Sequence, residues 1–131
     1  ALYCTRAVVP SMIERGSGNV QFIVGGGAFH GGKERAHVSA AKMGLVGLCN
    51  SLARELGPHN IRINYVVPGG WDESATSFED MAPESRGQAR IPLRRLGIPQ
   101  ELANLYTFLA SDDSSYITGQ TFHINGGAFR Y

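Results

Sequence analysis

The sequence alternates regularly between helical and strand patterns, and this alternation limits the folds that it can adopt. In chain order, the apolar spacing predicts a helix over Leu2–Ile13, a strand over Asn19–Val24, a helix over Val38–Leu56, a strand over Ile61–Val67, a helix that begins at Pro99 and a strand over Thr121–Asn125. Strands separated by helices favour right-handed crossovers, which place successive strands parallel in one sheet. The predicted fold class is therefore α/β, as part of a doubly wound fold with three parallel strands and flanking helices.

Local residues refine this outline. Pro10 predicts a kink or an early end to the first helix, because proline has no backbone N–H to donate. The stretch Gly25–Gly32 contains five glycines in eight residues and predicts a loop. The apolar positions of the long helix share one face: Val38, Ala41, Leu45, Leu48, Cys49, Leu52 and Leu56. Gly57 ends that helix. We expect one strand edge, that of Asn19–Val24, to be unpaired.

Composition excludes several classes of function. The 12 basic and 11 acidic residues give a net charge of +1, so the clustered basic excess of a nucleic-acid-binding surface is not expected. We expect no secretory signal and no membrane partner, because no apolar run reaches the ~18 residues of a membrane-spanning helix. Cys4 and Cys49 lie in apolar helical patterns, which predicts buried free thiols and favours a cytoplasmic protein. Because the His and Cys residues are scattered, no metal site is predicted.

A series of segments carries a resemblance to a known family. These segments are Val38–Leu45, Ser51–Pro58, Ile61–Asn64, Pro68–Gly69, Ile91–Gly97, Phe108–Asp112, Tyr116–Gln120 and Asn125–Gly127. In this order they resemble the later segments of short-chain dehydrogenases/reductases, and the resemblance covers essentially the whole chain. It implies that residues 1–131 form a single unit, equivalent to the C-terminal half of a Rossmann-type NAD(P)-binding domain. The glycine-rich half, which cradles the dinucleotide pyrophosphate, is absent from this sequence.

The resemblance also implies which residues would act. Family members are NAD(P)-dependent oxidoreductases that transfer hydride between an alcohol or carbonyl compound and NAD or NADP. Their catalytic lysine, which also binds the nicotinamide ribose, corresponds to Lys42. Their turn at the nicotinamide carboxamide corresponds to Pro68, Gly69 and Gly70. Their catalytic serine and tyrosine correspond to Gly25 and Val38, and neither of these side chains can donate or accept a proton.

These replacements leave several hypotheses open. His37 or His30 could serve as a substitute acid near neutral pH, although His37 points about 100° away from the tyrosine position around the helix. The chain could be an oxidoreductase half that is inactive alone and requires its cofactor-binding half. It could be a non-catalytic module that dimerises or binds a ligand, or a relative of the tyrosine-less enoyl- and dienoyl-CoA reductases. It could also be an ordinary enzyme whose sequence is truncated, or in error at Gly25 and Val38.

The expected partners follow from the same resemblance. They are a small-molecule substrate and either the missing N-terminal half or further copies of this chain. In the family, helices equivalent to Leu2–Ile13 and Val38–Leu56 pack between subunits, so we predict a homo-oligomer. The polar, acidic stretch Trp71–Arg90 predicts a mobile flap. Ser74 and Thr76 in that stretch are candidates for a cofactor-binding threonine of the family.

Overall fold

The computed structural model describes residues 1–71 and 91–129, apart from the side chain of His30. Its helices are α1 (Leu2–Arg15), α2 (Gly27–His30), α3 (Ala36–Leu56) and α4 (Pro99–Ala110), and its strands are β1 (Gly18–Ile23), β2 (Ile61–Pro68) and β3 (Thr121–Ile124). The strands are parallel and lie in the order β1-β2-β3, so β1 is an edge strand as predicted. This arrangement confirms the predicted α/β fold class. Positions 72 to 90 of the expected flap, which include Ser74 and Thr76, lie outside the described residues.

The central strand β2 is covered on both faces. Alternate side chains of the sheet belong to the main hydrophobic core beneath α1 and α3: Phe22, Val24, Ile61, Ile63, Tyr65 and Val67. On the opposite face, Asn64 and Val66 are fully buried as well. Asn64 Nδ2 donates to Ile117 O, and Gln120 N donates to Asn64 Oδ1, both at 3.0 Å. These bonds give both the amide nitrogen and the amide oxygen of the buried Asn64 a partner.

The expected early end of the first helix at Pro10 is wrong, whereas the expected kink there stays a prediction. Helix α1 continues through Pro10 to Arg15, and Gly16 ends it in a left-handed conformation with a φ of 68°. Pro10 itself is exposed, while Val9 and Met12 on the same helix pack against the core. Tertiary packing of these neighbours therefore outweighs the backbone hydrogen bond that proline cannot donate.

The expected glycine loop contains the short helix α2. Ala28 N donates to Gly25 O at 2.9 Å, and Phe29 N donates to Gly26 O at 3.0 Å. Ala28 is buried and Phe29 packs against the core. Glycines disfavour a helix, so the burial of these two apolar side chains provides its stability.

The apolar face of α3 is shorter than predicted. Its later positions, such as Leu45 and Cys49, pack in the core, but Val38 and Ala41 are exposed. Cys49 is buried and its pKa is raised by burial to about 11, so it is an unreactive thiol near neutral pH. Cys4 is exposed, contrary to prediction. The reason is that α1 packs on the sheet through a different face, which carries Thr5, Val9 and Met12.

Candidate functional site

The carboxyl ends of the three strands lie at one edge of the sheet. Gly25 lies just beyond β1, Gly69 follows β2 and Asn125 follows β3. Pairing extends to this edge, where Gly69 N donates to Ile124 O at 2.9 Å. In open parallel sheets, ligands bind in the crevice beyond the carboxyl ends of the strands. We therefore take this edge as the candidate site.

Helix α3 begins at the same edge and carries three of the predicted site positions. The Ser39 hydroxyl donates to Gly27 O at 3.1 Å, which ties the first turn of α3 to the segment after β1. His37 is exposed, and Val38 is 39% exposed. Lys42 is half-buried and forms no hydrogen bond or ion pair with the residues that the structure describes. The side chain of His30, the other candidate acid, lies outside the described part.

Gly25, which the resemblance places at the serine position, has open space around it. A Cβ atom at this position would meet no other atom within 4 Å, and the backbone is not in the left-handed region. Neither packing nor backbone conformation therefore requires glycine here. A serine side chain would fit at this position without displacing a neighbour.

The two glycines after β2 are explained by close packing. A Cβ at Gly69 would lie 2.7 Å from Cβ of Asn125, and a Cβ at Gly70 would lie 2.9 Å from Cδ2 of Leu96. These contacts bring the segment after β3 and the segment before α4 against the end of β2. The role of Pro68, Gly69 and Gly70 in cofactor binding stays a prediction.

The sequence did not lead us to expect an aromatic cluster beside this edge. The ring of His123 on β3 lies 5.5 Å from the ring of Phe29 on α2 and 5.7 Å from the ring of Phe129, which meets it edge-on. Burial lowers the pKa of His123 below its usual value. The three side chains come from separate segments, so no local periodicity could indicate that they meet.

Known proteins resemble this chain over nearly its whole length. Residues 1–128 match the protein family described as enoyl-(acyl carrier protein) reductase. Dehydrogenase/reductase SDR family member 4 of Oryctolagus cuniculus is 41% identical over 126 residues, which cover 95% of this chain and 48% of that protein. The chain belongs to the short-chain dehydrogenase/reductase family.

Two further relatives of this family agree with the assignment. The 3-oxoacyl-(acyl-carrier-protein) reductase FabG of Thermotoga maritima is 40% identical over 126 residues, which cover 94% of this chain and 50% of that protein. The solved structure of acetoin dehydrogenase YohF from Salmonella typhimurium has a TM-score of 0.80 and 32% identity, and covers 95% of this chain and 48% of that one. The predicted Rossmann-type sheet is thereby confirmed. This short-chain dehydrogenase/reductase chain spans about half the length of the relatives that it matches.

The family segment Ile91–Gly97 covers the end of β2. Trp71 lies over Gly97, because a Cβ on that glycine would be 2.5 Å from the indole ring. Trp71 also lines a small cavity beside Gly70, together with Arg95 and Glu101. Its Nε1 atom is buried and has no hydrogen-bond partner in the described part of the chain. One face of the indole therefore packs against the protein at Gly97.

Arg95 and Glu101 form an ion pair at the start of α4. The guanidinium donates to the two carboxylate oxygens at 2.8 and 2.5 Å, and Ile98 N donates to the same carboxylate at 3.0 Å. The hydrogen bond from Arg95 is the main reason that the pKa of Glu101 is lowered. The same hydrogen bond to Glu101 raises the pKa of Arg95. The pair fixes the segment that covers Trp71 against the first turn of α4.

Replacing Glu101 with glutamine (Glu101→Gln) should lower stability at neutral pH by less than about 1 kcal/mol, because the pair is partly exposed. A carboxyl whose folded pKa is depressed stabilises the protein above its unfolded pKa of about 4.3, and this contribution disappears as the pH falls through the lower folded pKa. Urea denaturation between pH 7 and pH 3 should therefore show the two proteins converging at acidic pH. The exposed Glu55→Gln variant is the matched control. A difference that grows on acidification would contradict the assigned ion pair.

Within residues 1–71 and 91–129, no group of three or more His, Cys, Asp or Glu side chains is placed to hold a metal ion. Among the same residues, no helix has the length and apolar character needed to cross a membrane.

Proposed function

We propose that this chain forms the substrate side and the nicotinamide-ribose side of an NAD(P)-dependent oxidoreductase. The reaction class is hydride transfer between an alcohol or carbonyl compound and NAD or NADP, and the substrate is a small molecule. The observation that carries the proposal is the ammonium of Lys42, which forms no hydrogen bond or ion pair with the described residues. Relatives of this chain include named dehydrogenases and reductases, which supports the reaction class. The cofactor would supply or accept the hydride.

The residues present fit one end of the cofactor. The half-buried Lys42 has no hydrogen-bond partner among the described residues and would donate to the ribose hydroxyls, and the Pro68–Gly70 turn would face the nicotinamide. Lysine carries three N–H donors and no acceptor, which suits two neighbouring hydroxyl oxygens. The sequence contains no glycine-rich pyrophosphate fingerprint, so the rest of the dinucleotide must be bound by another segment or chain.

We further propose that the chain alone does not reduce carbonyl compounds. Gly25 has no hydroxyl to orient a substrate oxygen, and Val38 has no group that could move a proton. The exposed His37, which directly precedes Val38 on α3, remains our candidate for a substitute acid. Purified chain should leave NADH and NADPH unchanged in the presence of carbonyl substrates, because its sequence also contains no pyrophosphate fingerprint to hold the cofactor.

Two alternative functions have specific support. A reductase of conjugated C=C bonds, similar to the tyrosine-less enoyl- and dienoyl-CoA reductases, is favoured by the nonpolar Gly25 and Val38 positions and by the description of the matching family. A non-catalytic dimerising or ligand-binding module is favoured by the same two replacements. Exposed apolar residues on α1, such as Leu2 and Tyr3, and Met43 on α3 support homo-oligomers through these helices. We place either function in the cytoplasm.

Nicotinamide mononucleotide tests the proposed site without requiring a pyrophosphate cradle. Added to the isotope-labelled chain, it should shift the backbone amide NMR signals of Lys42 and Gly69. The Lys42→Met variant should bind it about tenfold more weakly, because a hydrogen bond from a charged group contributes about 1.5–3 kcal/mol. The Lys33→Met variant, which removes an exposed lysine near the same helix, is the matched control. Equal binding by both variants would exclude Lys42 from the site.

A further inference from the structure

The segment after β3 reaches back across the candidate edge and contacts Gly26. A Cβ placed on Gly26 would lie 2.3 Å from Cζ and 2.6 Å from Cε1 of Phe129, so this aromatic ring rests directly on the glycine. The backbone of Gly26 has a φ of −53° and a ψ of −31°, which any L-residue adopts. Gly26 is therefore glycine because of the Phe129 ring and not because of its own backbone conformation.

The position of Phe129 is set by a compact turn around Asn125. Asn125 Nδ2 donates to Phe129 O at 3.0 Å, and Gly127 N donates to Asn125 Oδ1 at 2.8 Å. Ala128 N donates to Asn125 O at 3.1 Å. One asparagine side chain thus bonds to two points of the segment that carries the ring. We call residues 125–129 the closing turn.

Contacts on the other side of Gly26 connect the closing turn to the candidate site. Gly25 adjoins Gly26, and Gly27 O accepts the hydrogen bond from Ser39 on α3, three residues before Lys42. The ring of Phe129 also meets His123 edge-on, and His123 in turn contacts Phe29 of α2. The segment 25–27 is therefore held between the closing turn and α3.

We propose that Phe129 is a positioning residue of the candidate site, whose ring on Gly26 holds the segment 25–27 in place beside α3. This proposal builds on the proposed function, since segment 25–27 contains the position that would face a substrate. The ring acts through its contact with Gly26. This role makes the closing turn part of the site, although about 100 residues separate it from segment 25–27 in the sequence.

A double-mutant cycle on Gly26 and Phe129 tests the contact in the whole chain. Native-state hydrogen exchange is followed at the amides of Ala28 and Phe29, which bond to Gly25 O and Gly26 O. Gly26→Ala should accelerate their exchange about tenfold because its methyl group overlaps the ring. Phe129→Leu should have a similar effect through loss of the ring. In the double variant, the two effects should be far from additive, since the smaller side chain makes room for the methyl group.

Matched controls separate positioning from general stability. Gly25→Ala, whose Cβ meets nothing within 4 Å, should leave these amides unchanged, and so should Tyr116→Ala, which removes a fully exposed ring. Exchange at Ile63 in the central strand should also stay constant. Additive effects of Gly26→Ala and Phe129→Leu, or equal acceleration at Ile63, would overturn the proposal. Because no ligand is added, this result is independent of whether nicotinamide mononucleotide binds to Lys42.

Discussion

Replacing Arg62 with alanine (Arg62→Ala) should lower the free energy of unfolding by about 3 kcal/mol, since hydrogen bonds from a charged donor contribute about 1.5–3 kcal/mol each. The guanidinium donates to Leu109 O and Ser114 Oγ at 2.9 Å and to Ser111 O at 3.0 Å. Leu109 and Ser111 lie at the end of α4, where helix carbonyls lack partners within the helix, and Ser114 lies in the turn that follows. Arg62 therefore fixes α4 to the central strand. Chemical denaturation followed by circular dichroism measures the change.

The size of this effect is limited by two other donors. Asn19 Nδ2 donates to Leu109 O at 2.8 Å and Ser114 Oγ donates to it at 2.9 Å, so that carbonyl keeps partners when Arg62 is removed. Arg62→Lys should have an intermediate effect, because an ammonium group cannot reproduce the planar fork of donors. Arg54→Ala on the exposed face of α3 is the control and should change stability by no more than about 0.5 kcal/mol. Equal effects of Arg62→Ala and Arg54→Ala would show that the three bonds contribute nothing measurable.

The paired substitutions Gly25→Ser and Val38→Tyr should together raise carbonyl reduction by about 10²–10⁴-fold, which is the usual contribution of a positioned acid. The chain would first be joined to the part of the Thermotoga maritima relative that it does not match, since it covers 50% of that protein. A serine fits at Gly25 because a Cβ there meets no neighbour within 4 Å, and a tyrosine fits at Val38 because this position is 39% exposed. Oxidation of NADPH, followed by absorbance, gives the rate.

The controls for this gain of function use neighbouring positions. His37→Tyr places the phenol about 100° away around the helix and should give no increase. In Val38→Tyr, Lys42 lies one helical turn further on, and its charge should lower the pKa of the new phenol below the usual value of about 10. Adding Lys42→Met should abolish both effects. If the joined protein without these substitutions reduces conjugated C=C bonds, the result would instead support the alternative function as a tyrosine-less enoyl- or dienoyl-CoA reductase.

Prediction from the sequence succeeded where the information is local. The strand over Ile61–Val67 and the helix that begins at Pro99 could be recognised because apolar period and turn residues depend on adjacent positions. The same reasoning failed at Pro10 and in the glycine stretch. There, packing of Val9 on the core and burial of Ala28 outweighed local helix propensity. The roles of Lys42 and Pro68–Gly70 came from the family resemblance and remain predictions.

The sequence by itself determined the order of helices and strands, the parallel sheet and membership of the short-chain dehydrogenase/reductase family. Tertiary structure alone decided that Arg62 bonds to the end of α4 and that Phe129 rests on Gly26. It also decided that a Cβ at Gly25 would point into open space. The physical reason is that each of these features depends on the distance between segments that are far apart in the chain, and side-chain periodicity contains no information about that distance.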